Sequence, residues 1–232
     1  MSNNPIEENR NFLVQLLNEK ASLKQDIADD CEHVFQELKT IIKSEIEALK
    51  EKVSDDRVRL YVDDRGKFEI YAFVGSDLLV FNLHPNVFRL PDNNPLWGTS
   101  YFKQEDTRGY FGSIYVYNFL AESYLKRRTE DRGYLLARIL INKDRHFMTE
   151  GQGQFGHLFR DLEHQEMSSE VLKAIVQMLF ANAIQFDLLV PPYELMEQVS
   201  IAQIQYMGET LKLQTAKRLG FKMQADDMEI QA

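Results

Sequence analysis

His157, Asp161 and His164 stand at i, i+4 and i+7, so on a helix they share one face. Two neutral imidazoles and a carboxylate can hold a divalent metal, and such a metal activates water for hydrolysis. Glu163 and Glu166 lie close in sequence but off that face, and His146 opens the preceding strand. The spacing is not that of a known motif such as H-E-x-x-H, and polar helix faces produce such spacings by chance.

Just upstream, Gly151-Gln152-Gly153-Gln154-Phe155-Gly156 fits G-x-G-x-x-G, whose glycines let backbone N–H groups approach a phosphate. The surroundings disagree. The match follows antiparallel strands, where a dinucleotide fold needs a βαβ unit. Only 76 residues follow Gly156, too few for a kinase, and no V-A-I-K lysine or D-F-G accompanies it. A turn leaving a sheet is the better account.

Lys126, Arg127, Arg128 and Arg132, with Arg138, Lys143 and Arg145, face only Glu130, Asp131 and Asp144 between residues 126 and 145, a local net of +4. With Tyr124 and Tyr134 beside it, this stretch could meet an anionic ligand or RNA. Solvated turn tips with local ion pairs are the simpler account. No RNP sequence, helix-turn-helix signature or zinc finger is present.

Trp97, Tyr101 and Phe102 fall in the longest irregular stretch, Pro91–Arg108. Such aromatics line a pocket or anchor a partner, or they tuck the loop onto the core. His84, before Pro85 at a strand end, could border the same ligand or partner surface. Cys31 sits on the apolar stripe of a helix, where a thiol is inert packing. His33 is on the solvated side, and there is no G-x-S-x-G elbow.

These residues need elements to hold them. Residues Gly109 to Glu150 read as two or three long antiparallel strands, rich in side chains that suit a pleated surface. In Gly112–Leu120, Ile114, Val116 and Leu120 share one face, and Tyr115, Tyr117 and Phe119 the other. In Tyr134–Asn142, Leu135, Ala137, Ile139 and Ile141 oppose Tyr134, Leu136, Arg138 and Leu140. Strands apolar on both faces are usually covered on both. Residues 118–128 read equally as strand or short helix. Upstream, Arg57–Asp63, Phe68–Val74 and Leu78–Leu83 form a meander with turns at Asp63–Gly66 and Gly75–Asp77. His84-Pro85-Asn86 ends it, and Val87–Leu90 resumes it.

From Pro5 to about Lys52 the chain is one helix or two in series. Phe12, Leu13, Leu16 and Leu17 form a first apolar cluster. Ile27, Cys31, Phe35, Leu38, Ile42, Ile46, Leu49 and Val53 follow at an eleven-residue rhythm, which suits a straight helix. That helix lies along its own domain or builds a homodimer. After the sheet, Ser168 caps a helix buried along Leu172, Ile175, Val176, Leu179 and Ala183, widened by Val171, Met178, Phe180 and Ile184. Pro191-Pro192 break the chain, and 200–207 and 209–219 read as short helices.

The expected fold is therefore α+β: a long N-terminal helix, a central antiparallel sheet of about five or six strands, and a helical C-terminal third. Residues 1–54 form a helical extension, 55–223 the α+β domain, and 224–232 a frayed acidic tail. The net charge of −9 argues against nonspecific binding to nucleic acid or anionic membranes. Residues 1–56 hold 13 acids against 7 bases, a net of −6. One cysteine, no secretory signal and no run of membrane-span length suit a cytoplasmic protein. The chain reads as a non-enzymatic binding or adaptor protein with no cofactor, assembling through its N-terminal helix or binding a protein partner or small ligand. The alternative is a metal-dependent hydrolase using His157, Asp161 and His164.

Overall fold

Neither proline nor glycine interrupts the chain between Pro5 and Lys50, and in the computed structural model this whole stretch is helical. The structure describes residues 5–151, 155–159 and 161–187, with Tyr193 and Ile201. Helix α1 (Pro5–Leu16) passes through one π-turn, Leu17–Ala21, into α2 (Ser22–Lys50). A π-turn carries an extra residue, so it shifts the faces of the two helices relative to each other. The consequence is a division of labour. Ile27, Cys31, Phe35, Leu38, Ile42 and Ile46 are buried on the chain's own sheet, while every residue of α1 is exposed. The eleven-residue stripe is thus used up within the domain as far as Leu49, which is partly buried; Val53, expected to continue it, is exposed beyond the end of α2, and the first apolar cluster is not buried.

Six strands follow as an antiparallel meander in sequence order: β1 (Leu60–Asp64), β2 (Glu69–Val74), β3 (Asp77–Arg89), β4 (Tyr110–Leu120), β5 (Tyr134–Asn142) and β6 (Phe147–Gly151). Three short helices, α3 (Ser100–Gln104), α4 (Ala121–Leu125) and α5 (Phe155–Leu158), interrupt the connections, and α6 (Ser169–Gln185) closes the described chain. The residues 118–128 divide, ending β4 at Leu120 and starting α4 at Ala121. Two strands depart from simple alternation. β3 runs through His84–Asn86 as one strand, with its register against β4 shifted between His84 and Phe88. Pro85 has no N–H to give the ladder, so a shift there replaces the expected break.

In β5, Ala137 pairs with Val116 and Leu135 with Tyr117, which leaves Leu136 as an extra residue. That bulge reverses the expected faces at one end of the strand. Leu136 is fully buried beside Ala137, Ile139 and Ile141, and Leu135 is turned outward.

α2 and α6 lie on one face of the sheet and enclose the main core with Ile70, Ala72, Leu79, Phe81, Ile114, Val116 and Ile139. The two helices run in the same direction: Ser169 bonds Glu37, and Lys173 (3.0 Å) and Gln177 (2.7 Å) both reach Glu45. Those bonds, Gln177 first, hold the Glu45 carboxyl below its ordinary range. Ser168 caps α6 as expected, accepting from the Val171 N–H. Leu172, Ile175, Val176, Leu179, Phe180 and Ala183 are buried, whereas Ile184 is exposed. The expected helices at 200–207 and 209–219, the Pro191-Pro192 break and the 224–232 tail lie outside the described residues. No helix among the described residues is long and apolar enough to cross a membrane.

Candidate functional site

Among the described residues the second face of the sheet has no helix layer like that of α2 and α6, and its side chains fall into rungs fixed by the strand register. One rung is Phe73–Leu78–Phe119 and the next is Tyr71–Val80–Tyr117, each crossing β2, β3 and β4. The third is polar and crosses five strands: Glu69, Asn82, Tyr115, Arg138 and Glu150. Asn82 donates to Glu69 at 3.1 Å, and Arg138 donates to Glu150 through Nε at 2.7 Å. This polar row divides the face in two.

On one side of the row the loop between β3 and β4 covers the sheet. Tyr101 and Phe102 are only 5% and 3% exposed, packed with Leu90, Phe111, Leu140 and Leu162. Trp97 lies edge-on to Phe102 and donates its indole N–H to the Pro91 carbonyl at 2.8 Å. Gly109 makes this possible, since a Cβ there would stand 2.1 Å from the Trp97 ring. Tyr101 stacks on His146, carries the Arg108 guanidinium over its ring and accepts from Asn142 at 2.8 Å. Burial raises its phenol above the ordinary range. The expected surface of Trp97, Tyr101, Phe102 and His84 is therefore not one patch. Two of its members are core, and His84 stands apart, accepting from the Asn86 N–H and lying against Phe88 and Tyr115.

On the other side of the row a cavity of about 640 Å³ stays open. Its floor is the two apolar rungs, with Tyr71, Leu78, Val80, Tyr117 and Phe119. Its wall is α4 and the turn after it, which bring Ser123, Tyr124 and residues 127–129 over the sheet edge. Tyr124 is held edge-on to Tyr71 at 5.5 Å, and Arg65 braces both rings while bonding the Tyr124 hydroxyl. The wall's polar groups are mostly engaged. Ser123 donates to Asp131 at 2.6 Å, and Arg128 pairs with Asp131 at 3.2 Å.

The basic stretch contributes unevenly to this site. Lys126 pairs with Glu122 at 2.9 Å. Arg127 lines the cavity and has no carboxylate within ion-pair distance among the described residues. Arg132 is exposed beyond the cavity lining. Sequence reasoning named Arg127 and Arg128 but missed Tyr71, Val80 and Tyr117. The signal was there: the outward faces of β2 and β4 are both aromatic, with Tyr71 and Phe73 on one and Tyr115, Tyr117 and Phe119 on the other.

The histidine cluster is partly described. Asp161 and His164 are exposed and 3.0 Å apart, while the His157 side chain lies outside the described residues. His146 is engaged elsewhere, through Nδ1 to the Leu162 carbonyl at 2.8 Å. Among the described residues no three His, Cys, Asp or Glu side chains converge as metal ligands. Of the G-x-G-x-x-G match, Gly151 ends an antiparallel strand and residues 152–154 lie outside the described residues. Cys31 is buried, and burial pushes its thiol up to about 12. Comparison with models of known protein families, with curated proteins and with solved structures finds no match.

Proposed function

We propose that the chain is a non-enzymatic binding protein of the cytoplasm whose open sheet face takes a small ligand. The observation that carries this reading is the cavity of about 640 Å³, floored by aromatic and aliphatic side chains from three adjacent strands. Its size falls in the range of small-molecule sites, which are mostly apolar with a few placed polar groups. The floor sits on a hydrogen-bonded sheet backed by the helix core, so it is preformed, and binding costs little reorganisation. The α1 helix supplies the adaptor element of the reading. Ile6, Phe12, Leu13, Val14 and Leu16 there, with Leu17 in the π-turn that follows, are between 39% and 67% exposed, and a second copy of the chain would cover them.

The test is titration of the full chain with a neutral aromatic fluorophore, phenylnaphthylamine. One saturable site is expected, and Val80→Lys, which plants a charge in the floor, should abolish it with the melting temperature held. A site unaffected by Val80→Lys would place the binding elsewhere, and no binding would remove the reading.

A further inference from the structure

Among the described residues, two that are not glycine hold positive φ: Arg127 at 53° and Arg145 at 58°. The left-handed region costs an L-residue of this kind about 1 kcal/mol, and asparagine or glycine would occupy it more readily. Arg145 has a structural reason to be arginine, since it reaches Asp30 at 2.9 Å and ties the β5–β6 turn to α2. Arg127 has no such carboxylate among the described residues. Its φ has a local reason: Arg127 follows the end of α4, where its N–H bonds the Tyr124 carbonyl at 3.0 Å and the Arg128 N–H bonds the Ser123 carbonyl at 2.8 Å, a helix-ending pair that favours glycine or asparagine and does not call for arginine. What distinguishes its position is the cavity that its side chain lines.

The neighbouring cations show the contrast. Lys126, Arg128 and Arg65 pair with Glu122, Asp131 and Asp63 respectively. Among the described residues Arg127 is the cation of this wall whose guanidinium is left for a guest. On the far side of the floor, Glu69 already accepts from Asn82. Among the described residues the cavity therefore offers stacking surface along its length and an uncommitted positive charge, Arg127, at its wall.

We infer that the ligand is a small organic anion, with an aromatic or aliphatic body lying on Tyr71, Val80 and Tyr117 and a carboxylate or sulfonate group meeting Arg127. This rests on the reading of the cavity as a ligand site. A guanidinium meets such oxyanions with two parallel N–H donors, which a lysine cannot reproduce.

The experiment compares two probes of nearly the same shape on the full-length chain: neutral phenylnaphthylamine and anionic anilinonaphthalene sulfonate. Arg127→Asn removes the charge and suits the backbone angle, so the fold should hold. The expected result is an affinity loss for the sulfonate of about tenfold, the scale of one hydrogen bond to a charged group. The neutral probe should change by less than about twofold on the same scale. With the unmodified chain, added salt should weaken the sulfonate and not the neutral probe. Equal responses of both probes would overturn the anion assignment and leave the cavity as a neutral-ligand site. Failure of both to bind the unmodified chain would overturn the binding reading, and the assignment with it.

Discussion

Gly112→Ala is the substitution whose cost the structure specifies most closely. Gly112 lies on the helix-covered face of β4, paired with Ile141, where α2 crosses the sheet. A Cβ there would stand 2.2 Å from Cys31 Sγ and 2.9 Å from Cys31 Cβ. Neither atom is the end of a long flexible side chain, and helical geometry restricts the thiol's rotamers. The helix must therefore lift from the sheet, and overpacking of this kind costs about 2 kcal/mol. For a chain of this size that is a fall of about 4–8 °C in melting temperature.

Cys31→Ala alone should cost about 1 kcal/mol, as the deletion of one buried heavy atom. Combined, the two should cost less than their sum, because the sulfur that the new methyl meets is gone. Urea denaturation of the four proteins, with m unchanged, reads the coupling directly. Additivity within about 0.5 kcal/mol would refute the contact.

Three further outcomes follow from the same structure. The Cys31 thiol titrates near 9.0 when unfolded and at about 12 when folded, so the folded state holds its proton more tightly. Its stabilising contribution is complete below pH 9 and is lost between there and about pH 12, by about 1.4 kcal/mol per pH unit; alkaline melts should show this slope, and Cys31→Ala should flatten it. Asp64, held down to about 2 by Lys39 and then Lys43, acts in the opposite sense. Its contribution is present above about pH 4 and lost as pH falls through 2. With the side chain 36% exposed, solvent screening limits it to about 1 kcal/mol, and Lys39→Met should reduce the acid loss in denaturation curves. Phe12→Ser with Leu16→Ser should shift the native mass of the full-length chain from dimer to monomer; an unmodified chain that is already monomeric would sink assembly through α1.

The elements were legible where one periodicity governed them. The stripe from Ile27 to Ile46, the Ser168 cap and the inward residues of β4 follow from spacing alone, because burial on one face needs nothing beyond local geometry. The departures came from pairings between distant residues. The face of Leu136 depends on a bulge against Val116 and Tyr117, and Pro85 shifts register without ending its strand. Trp97, Tyr101 and Phe102 carried the composition of a binding surface, yet Gly109, Asn142 and His146 decide that they pack inward. The cavity was the least legible feature. Tyr71, Val80 and Tyr117 become neighbours only through the register of three strands, and Arg127 stands out only because it lines the cavity with no carboxylate partner among the described residues.

The most direct test of the account is methyl NMR of the full-length chain titrated with anilinonaphthalene sulfonate. The exposed apolar cluster of α1 is the competing site, so the location of binding decides the matter. Binding in the cavity shifts the Leu78 and Val80 methyls, and Arg127→Asn reduces those shifts. Shifts confined to Leu13, Leu16 and Leu17 would contradict it.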